Sequence, residues 1–96
     1  MRVDRRDAWK EIELALGSVG KLKILRFLTE NPDNGFTRYM LRRTGLKPKD
    51  ITNDLKTLVA LGWVKEYKYG RKTYQINLEN AIVKQFLEFL KKTKYL

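Results

Sequence analysis

The chain of 96 residues contains no cysteine and no histidine, and it has only two prolines and six glycines. Without cysteine it can form no disulfide and offers no thiol nucleophile. Without histidine it lacks the side chain most often used as a general base and as a metal ligand. Most hydrolytic, redox and transition-metal chemistry is therefore excluded, and we expect a protein that is not an enzyme and needs no cofactor or metal.

Long apolar runs are also missing. The longest nearly apolar run covers residues 58–64, whereas a membrane-spanning helix needs about 20 apolar residues. Residues 1–7 are charged from the second position onward, so they lack the apolar core of a secretory signal. We expect an intracellular, cytoplasmic and nucleoid-associated protein that does not cross a membrane.

Positive charge is in excess: 21 Lys and Arg against 11 Asp and Glu give a formal net charge of +10. The excess lies in the middle of the chain, because residues 21–62 contribute +5 and residues 63–78 contribute +3. This bias predicts a polyanionic partner, nucleic acid before an anionic membrane surface. The length and a hydrophobic content of 43% predict one globular domain over residues 1–96.

Two helices are predicted before the Asn-Pro break at 31–32. The first covers residues 5–16, where large apolar residues recur at helical spacing. The second opens at Ser18 or Gly20 and continues to the break.

A pair of helices joined by a short turn follows. Thr37 predicts a helix start, because its hydroxyl can accept hydrogen bonds from first-turn amides, and Gly45 predicts the left-handed end of that helix. The next helix covers 48–61. The connection between them, residues 45–47, has the length that helix-turn-helix units use, so residues 37–61 are predicted to form one.

The helix over 48–61 has a clear division between apolar and polar faces. Pro48 suits the first helical position, and Asp50 favours the positive end of the helix dipole. One apolar stripe is formed by Ile51, Leu55, Leu58 and Val59. The polar residues left on the outward face are Lys49, Thr52, Asn53, Lys56 and Thr57.

Alternating β-branched and aromatic residues over 63–78 predict a β-hairpin. A two-residue Gly70-Arg71 turn would place Tyr67 opposite Tyr74. A bulged loop would move the pairing by one residue and exchange the faces, and the sequence leaves both registers open. We assign Tyr74 to the core and leave the position of Tyr69 open.

Asn77 predicts the cap of a last helix over 79–93, in which large apolar residues outnumber what a small core needs. Surplus apolar surface on the two terminal helices predicts a homodimer. The predicted interface residues are Trp9, Ile12, Leu16, Phe86, Phe89 and Leu90. The alternative, that they close the core of the monomer, stays open.

The order of these elements resembles the winged helix-turn-helix fold: mainly α, with a small β-hairpin and extra N- and C-terminal helices. Residues 16–28, and residues 45–58 running on to Gly62-Trp63-Val64, are similar to the opening helix and the recognition helix of ArsR-like transcriptional regulators. The resemblance covers about residues 14–78. The short chain also looks like the compact winged-helix proteins of archaea and their viruses. Metal-sensing members of the family use Cys, His and carboxylate ligands, so the absence of Cys and His argues against metal regulation here.

The resemblance implies a transcriptional regulator that binds double-stranded DNA with sequence preference. The helix over 48–61 would lie in the major groove, the preceding helix would contact phosphates, and the hairpin would reach the minor groove. The predicted DNA-binding residues are Lys47, Lys49, Thr52, Asn53 and Lys56, then Thr37, Arg38, Arg42 and Arg43, and on the hairpin Arg71 and Lys72. For each of them a solvated basic surface is the competing interpretation.

Other functions remain open at this point. A non-specific architectural protein would coat DNA irrespective of sequence. A winged helix can also serve as a protein-interaction module. A role at a membrane surface is disfavoured, because the lysines of the last helix cluster at one end instead of flanking its apolar face.

Overall fold

The computed structural model describes residues 17–92, except for the side chain of Leu90. The helix predicted over 5–16 lies outside the described residues. The elements in chain order are α1 (Val19–Glu30), the 3-10 helix η1 (Met40–Thr44), α2 (Pro48–Ala60), β1 (Val64–Tyr67), β2 (Thr73–Ile76) and α3 (Ala81–Lys92). Within the described residues, none of these helices has the length and apolar character that crossing a bilayer would require.

The first described helix begins as predicted after Ser18, whose Oγ accepts a hydrogen bond from the backbone N–H of Lys21 at 3.2 Å. This bond satisfies one of the amides that have no partner within the helix. Ile24, Leu25 and Leu28 form the buried face of α1. The helix ends at Glu30, immediately before the Asn-Pro break at 31–32.

The helix predicted to start at Thr37 differs from the prediction. Thr37 Oγ1 does accept from the backbone N–H of Met40 at 3.2 Å, but regular structure begins only at Met40 and is a 3-10 helix of five residues. Only Leu41 of this helix is buried, so little packing is available to hold a longer α-helix. Gly45 ends it in the left-handed conformation, with φ of 85°, as expected.

The following helix, α2, agrees with the prediction to within one residue. Pro48 occupies its start, and Ile51, Leu55 and Leu58 are buried while Val59 is half-buried. Gly62, with φ of 77°, then reverses the chain into the hairpin.

The hairpin adopts the shifted register. Glu66 pairs with Tyr74 and Tyr67 pairs with Thr73, so the arrangement with Tyr67 opposite Tyr74 is not formed. This register places Tyr74 in the core, with 4% of its surface exposed, as the sequence predicts. A contact that was not predicted holds it there. The backbone of Phe36 exchanges two hydrogen bonds with Tyr74, of 2.9 and 2.8 Å.

The cap of α3 is Asn80, so the prediction of Asn77 is wrong. Asn80 Oδ1 accepts from the backbone N–H groups of Ile82 and Val83, at 2.9 and 3.1 Å. The Asn77 side chain instead donates from Nδ2 to the Gly62 carbonyl at 2.7 Å, and Asn80 Nδ2 donates to the same oxygen at 3.3 Å. The first asparagine is therefore used to join the hairpin to the end of α2, and the helix starts at Ala81 instead of 79.

The core contains residues from every described element and surrounds the fully buried Trp63. From α3, Val83 is buried, and the half-buried Phe86 lies beside Trp63 with ring centroids 6.1 Å apart. Phe89 remains 59% exposed. The monomer therefore uses part of the apolar surface that the sequence assigns to a dimer interface.

Candidate nucleic-acid interface

The outward face of α2 is polar because its apolar residues recur every three or four positions and turn one side of the helix to the core. The predicted base-contacting residues of this helix are all exposed: Lys49, Thr52, Asn53 and Lys56. Thr52 Oγ1 donates to the Pro48 carbonyl at 3.0 Å, which leaves its oxygen and its methyl group for a partner. Lys47, immediately before the helix, is exposed as well.

The segment before the turn supplies three exposed arginines, Arg38, Arg42 and Arg43. The Arg42 guanidinium lies over the ring of Tyr39, 5.6 Å from its centroid, a cation–π contact that restricts its position. The Thr37 side chain is half-buried, and its hydroxyl accepts from the backbone N–H of Met40, the first residue of η1. The three guanidinium groups are therefore accessible to a polyanion that approaches the protein surface.

The loop between the two strands covers residues 68–72. Gly70, with φ of 67°, allows the chain to reverse in the left-handed conformation. Arg71 and Lys72 are exposed, and Tyr69 is 90% exposed, which settles the position that the sequence leaves open. The loop therefore presents two cations and an aromatic ring to the solvent.

Folding brings part of these sets together in one groove between α2 and the hairpin. Its polar lining consists of Arg38, Thr52, Lys56, Glu66, Lys72 and Tyr74. An adjoining concavity is lined by Thr37, Arg38, Tyr39, Arg71 and Lys72. Arg38 thus lines both concavities, beside Lys56 of α2 in the first and Arg71 of the hairpin loop in the second. By contrast, Arg42 and Arg43 line a separate depression.

Two residues of this groove were not predicted as part of a site, Glu66 and Tyr74. Burial raises the pKa of Tyr74, hydrogen bonding to Glu66 and the charge of Glu66 raise it further, and the charge of Arg38 lowers it. Alternation along β1 places Glu66 on the same face as the buried Val64. With the hairpin register known, this alternation would have predicted that the Glu66 side chain faces the groove.

Within residues 17–92 the predicted DNA-contacting cations form no ion pair. Among residues 17–92 the ion pairs join Lys21 to Asp54, Arg26 to Glu30, Lys65 to Glu79 and Lys68 to Glu66. None of them involves a lysine or arginine of the predicted interface. The charge of these side chains is therefore available to an external anion.

Comparison with solved structures shows where this arrangement recurs. HlyU from Vibrio cholerae N16961 matches with a TM-score of 0.75 at 22% identity, covering 98% of this chain and 100% of that one. The winged helix-turn-helix DNA-binding domain of Mb0332 from Mycobacterium bovis, a possible ArsR-family transcriptional regulator, is homodimeric. It matches with a TM-score of 0.70 at 20% identity, covering 97% of this chain and 87% of that one.

An ArsR-like transcriptional regulator from Rhodococcus sp. RHA1 matches with a TM-score of 0.64 at 22% identity, covering 96% of this chain and 84% of that one. No family model and no curated protein sequence matches the chain. Structural likeness at this identity confirms the predicted winged helix-turn-helix fold and its resemblance to structures of ArsR-like regulators.

Proposed function

We propose that the protein binds double-stranded DNA with sequence preference and acts as a transcriptional regulator without enzymatic activity. The observation that carries the proposal is the groove that Arg38, Lys56 and Lys72 line together. Because residues of α2 and of the hairpin loop line the same groove, one duplex could contact both. An α-helix fits the major groove, and a cationic loop suits the narrow minor groove. The structural neighbours include regulators with this fold.

Each part of the interface has a chemical role in this proposal. Lysine can donate to guanine acceptors, asparagine can pair with adenine through two hydrogen bonds, and threonine offers a hydroxyl and a methyl group to bases. These roles belong to Lys49, Asn53, Lys56 and Thr52 on α2. Phosphate contacts belong to Thr37, Arg38, Arg42, Arg43 and Lys47, and minor-groove contacts to Arg71 and Lys72.

The protein acts as a homodimer in this proposal, paired through its terminal helices. Phe89 of α3 is 59% exposed, and the neighbouring domain of Mb0332 is homodimeric. Trp9, Ile12 and Leu16, assigned to the same interface, lie outside the described residues, as does the side chain of Leu90. Two recognition helices about 34 Å apart would match successive major grooves and a pseudo-palindromic site. A light-scattering mass of 11.4 kDa would contradict the dimer.

In the same proposal residues 1–96 act as one unit in the cytoplasm, associated with the nucleoid. This location follows from the partner, since a DNA-binding protein works where the DNA is.

Selection of bound duplexes from a random pool, followed by salt titration of the preferred duplex, tests the proposal. One preferred sequence with two related half-sites is expected. Uniform affinity for unrelated duplexes with a steep salt dependence would instead indicate an architectural protein.

A matched pair of variants localises the binding surface. Lys56→Ala is expected to weaken binding of the preferred duplex about tenfold. Lys84→Ala removes the same charge from an exposed position of α3 and should leave binding within about twofold. Equal DNA retention by wild type and Lys56→Ala/Arg71→Ala would favour a protein-interaction module.

A further inference from the structure

Glu66 occupies an unusual position for an acidic residue. It lies on β1 opposite Tyr74 of β2, and only 22% of its side chain is exposed. The carboxylate lies close enough to the Tyr74 hydroxyl to raise the pKa of that tyrosine. Because Glu66 sits on a paired strand and is mostly buried, its carboxylate moves less than that of a glutamate on a solvated helix.

The surroundings of this carboxylate are cationic. Arg38, Lys56 and Lys72 line the same groove, and in the described part of the chain Glu66 is the one acidic residue among the lining side chains. The nearest ammonium, Nζ of Lys68, is 3.7 Å from Glu66 Oε1, but the Lys68 side chain is 71% exposed. An exposed partner of this kind neutralises the carboxylate only weakly.

The proposed DNA complex brings phosphates to this groove. If α2 lies in the major groove and the hairpin loop in the adjacent minor groove, the strand that separates the two grooves must pass between α2 and the hairpin. A fixed carboxylate at that point repels the phosphates that the three cations attract. The repulsion does not depend on which bases flank the phosphates.

We infer that Glu66 limits the affinity of the protein for the DNA backbone, irrespective of sequence, by placing a fixed negative charge between the recognition helix and the hairpin. The inference rests on the proposed function and adds to it a residue that opposes binding. Its consequence is that the protein dissociates from DNA more readily than its charge of +10 implies.

The test compares two substitutions that each remove one negative charge. Glu66→Gln keeps an acceptor oxygen for the Tyr74 hydroxyl and should raise affinity about three- to tenfold on both a preferred and an unrelated duplex at 0.15 M salt. Glu79→Gln is the matched control. Glu79 is 82% exposed and pairs at 3.1 Å with Lys65, which alternation places on the face of β1 opposite Glu66. Its effect should stay within about twofold.

The outcomes separate this inference from the proposed function. If wild type binds duplex and Glu66→Gln matches Glu79→Gln, the inference fails and the proposed function stands. A gain or loss confined to the preferred duplex would make Glu66 a base-contacting residue and would also overturn the inference. If neither wild type nor the variants bind any duplex, both proposals fail.

Folding of each variant is checked by thermal melting. Should Glu66→Gln fail to fold, Glu66→Ala removes the same charge and must give the same increase on both duplexes.

Discussion

Lys21 of α1 and Asp54 of α2 form an ion pair of 3.4 Å in which the two side chains are only 17% and 16% exposed. Lys21 Nζ also donates a hydrogen bond of 3.4 Å to the hydroxyl of Ser18, the residue that caps α1. Next to the pair the Asp54 carboxylate lies against the backbone of α1, because a Cβ built at Gly20 would be 2.5 Å from Asp54 Oδ2. The ion pair therefore turns the Asp54 side chain toward α1 and joins α2 to the first turn of α1.

The first prediction concerns the strength of this pair. Asp54→Asn should lower the free energy of unfolding by about 1–2 kcal/mol, because it leaves a partly buried ammonium without its counter-charge. Urea denaturation of Asp54→Asn, Lys21→Met and the double variant gives the coupling between the two residues. A coupling energy near zero would show that the contact adds nothing to stability.

The second prediction concerns the close approach at Gly20. Alanine normally stabilises a helix relative to glycine by up to about 1 kcal/mol. Gly20→Ala should instead lower the melting temperature, because its Cβ would meet the Asp54 carboxylate. In an Asp54→Ala background the same substitution should raise the melting temperature. A stabilising effect in the wild-type background would show that the Asp54 carboxylate moves aside at little cost.

The third prediction concerns the start of α3. Asn80→Ala removes the side chain that accepts from two backbone N–H groups and donates to Gly62, and it should cost about 1 kcal/mol of stability or slightly more. The measurement is chemical denaturation, with Lys84→Ala on the exposed side of the same helix as control. Equal stabilities of the two variants would show that the cap is not needed.

The fourth prediction is a pH dependence. Burial first, and then the hydrogen bond and charge of Glu66, raise the pKa of Tyr74, so the folded state holds this proton more tightly than the unfolded state. The resulting contribution to stability is fully present below about pH 10 and is lost as the pH rises above it. Tyr74→Phe has no hydroxyl proton and lacks this contribution at every pH. The stability of the wild type should therefore fall above about pH 10 relative to that of the variant, and the difference between them should narrow.

Urea denaturation at a series of pH values measures that difference. A constant gap between wild type and Tyr74→Phe would contradict the raised pKa.

The fifth prediction concerns the hairpin loop. Arg71→Ala should weaken DNA binding about tenfold and reduce the slope of log affinity against log salt by about one, the effect of losing one phosphate or minor-groove contact. Lys91→Ala, an exposed lysine near the end of α3, should leave the slope unchanged. If the salt dependence of DNA affinity were the same for both variants, the hairpin loop would not be part of the interface.

Features that depend on a few neighbouring residues could be predicted from the sequence. A hydroxyl before a helix, a proline at its start and a glycine after its end act locally, and they correctly give Ser18, Pro48 and Gly45. The outward face of α2 follows from helical periodicity in the same way.

Features that depend on distant contacts could not be predicted. Tyr74 of the hairpin pairs with Phe36, which is distant in sequence, and no local signal distinguishes the observed hairpin register from a shift by one residue. Asn77 and Asn80 are equally suitable caps by sequence and both donate to the Gly62 carbonyl, and only the structure shows that Asn80 accepts from the first amides of α3. For the same reason the sequence places Arg38 on the helix-turn-helix but does not show that it shares a groove with Lys72.

The Gly62 carbonyl, which accepts from both asparagines, lies where α2 ends and holds the start of α3. The peptide group of Gly62 thus joins the end of the helix proposed to enter the DNA to the start of the helix proposed to pair two subunits. In such a dimer these two hydrogen bonds would link the end of the recognition helix directly to the start of the pairing helix. The tolerated number of base pairs between half-sites would then be set by subunit geometry, and operators with one base pair added or removed would be poorly bound.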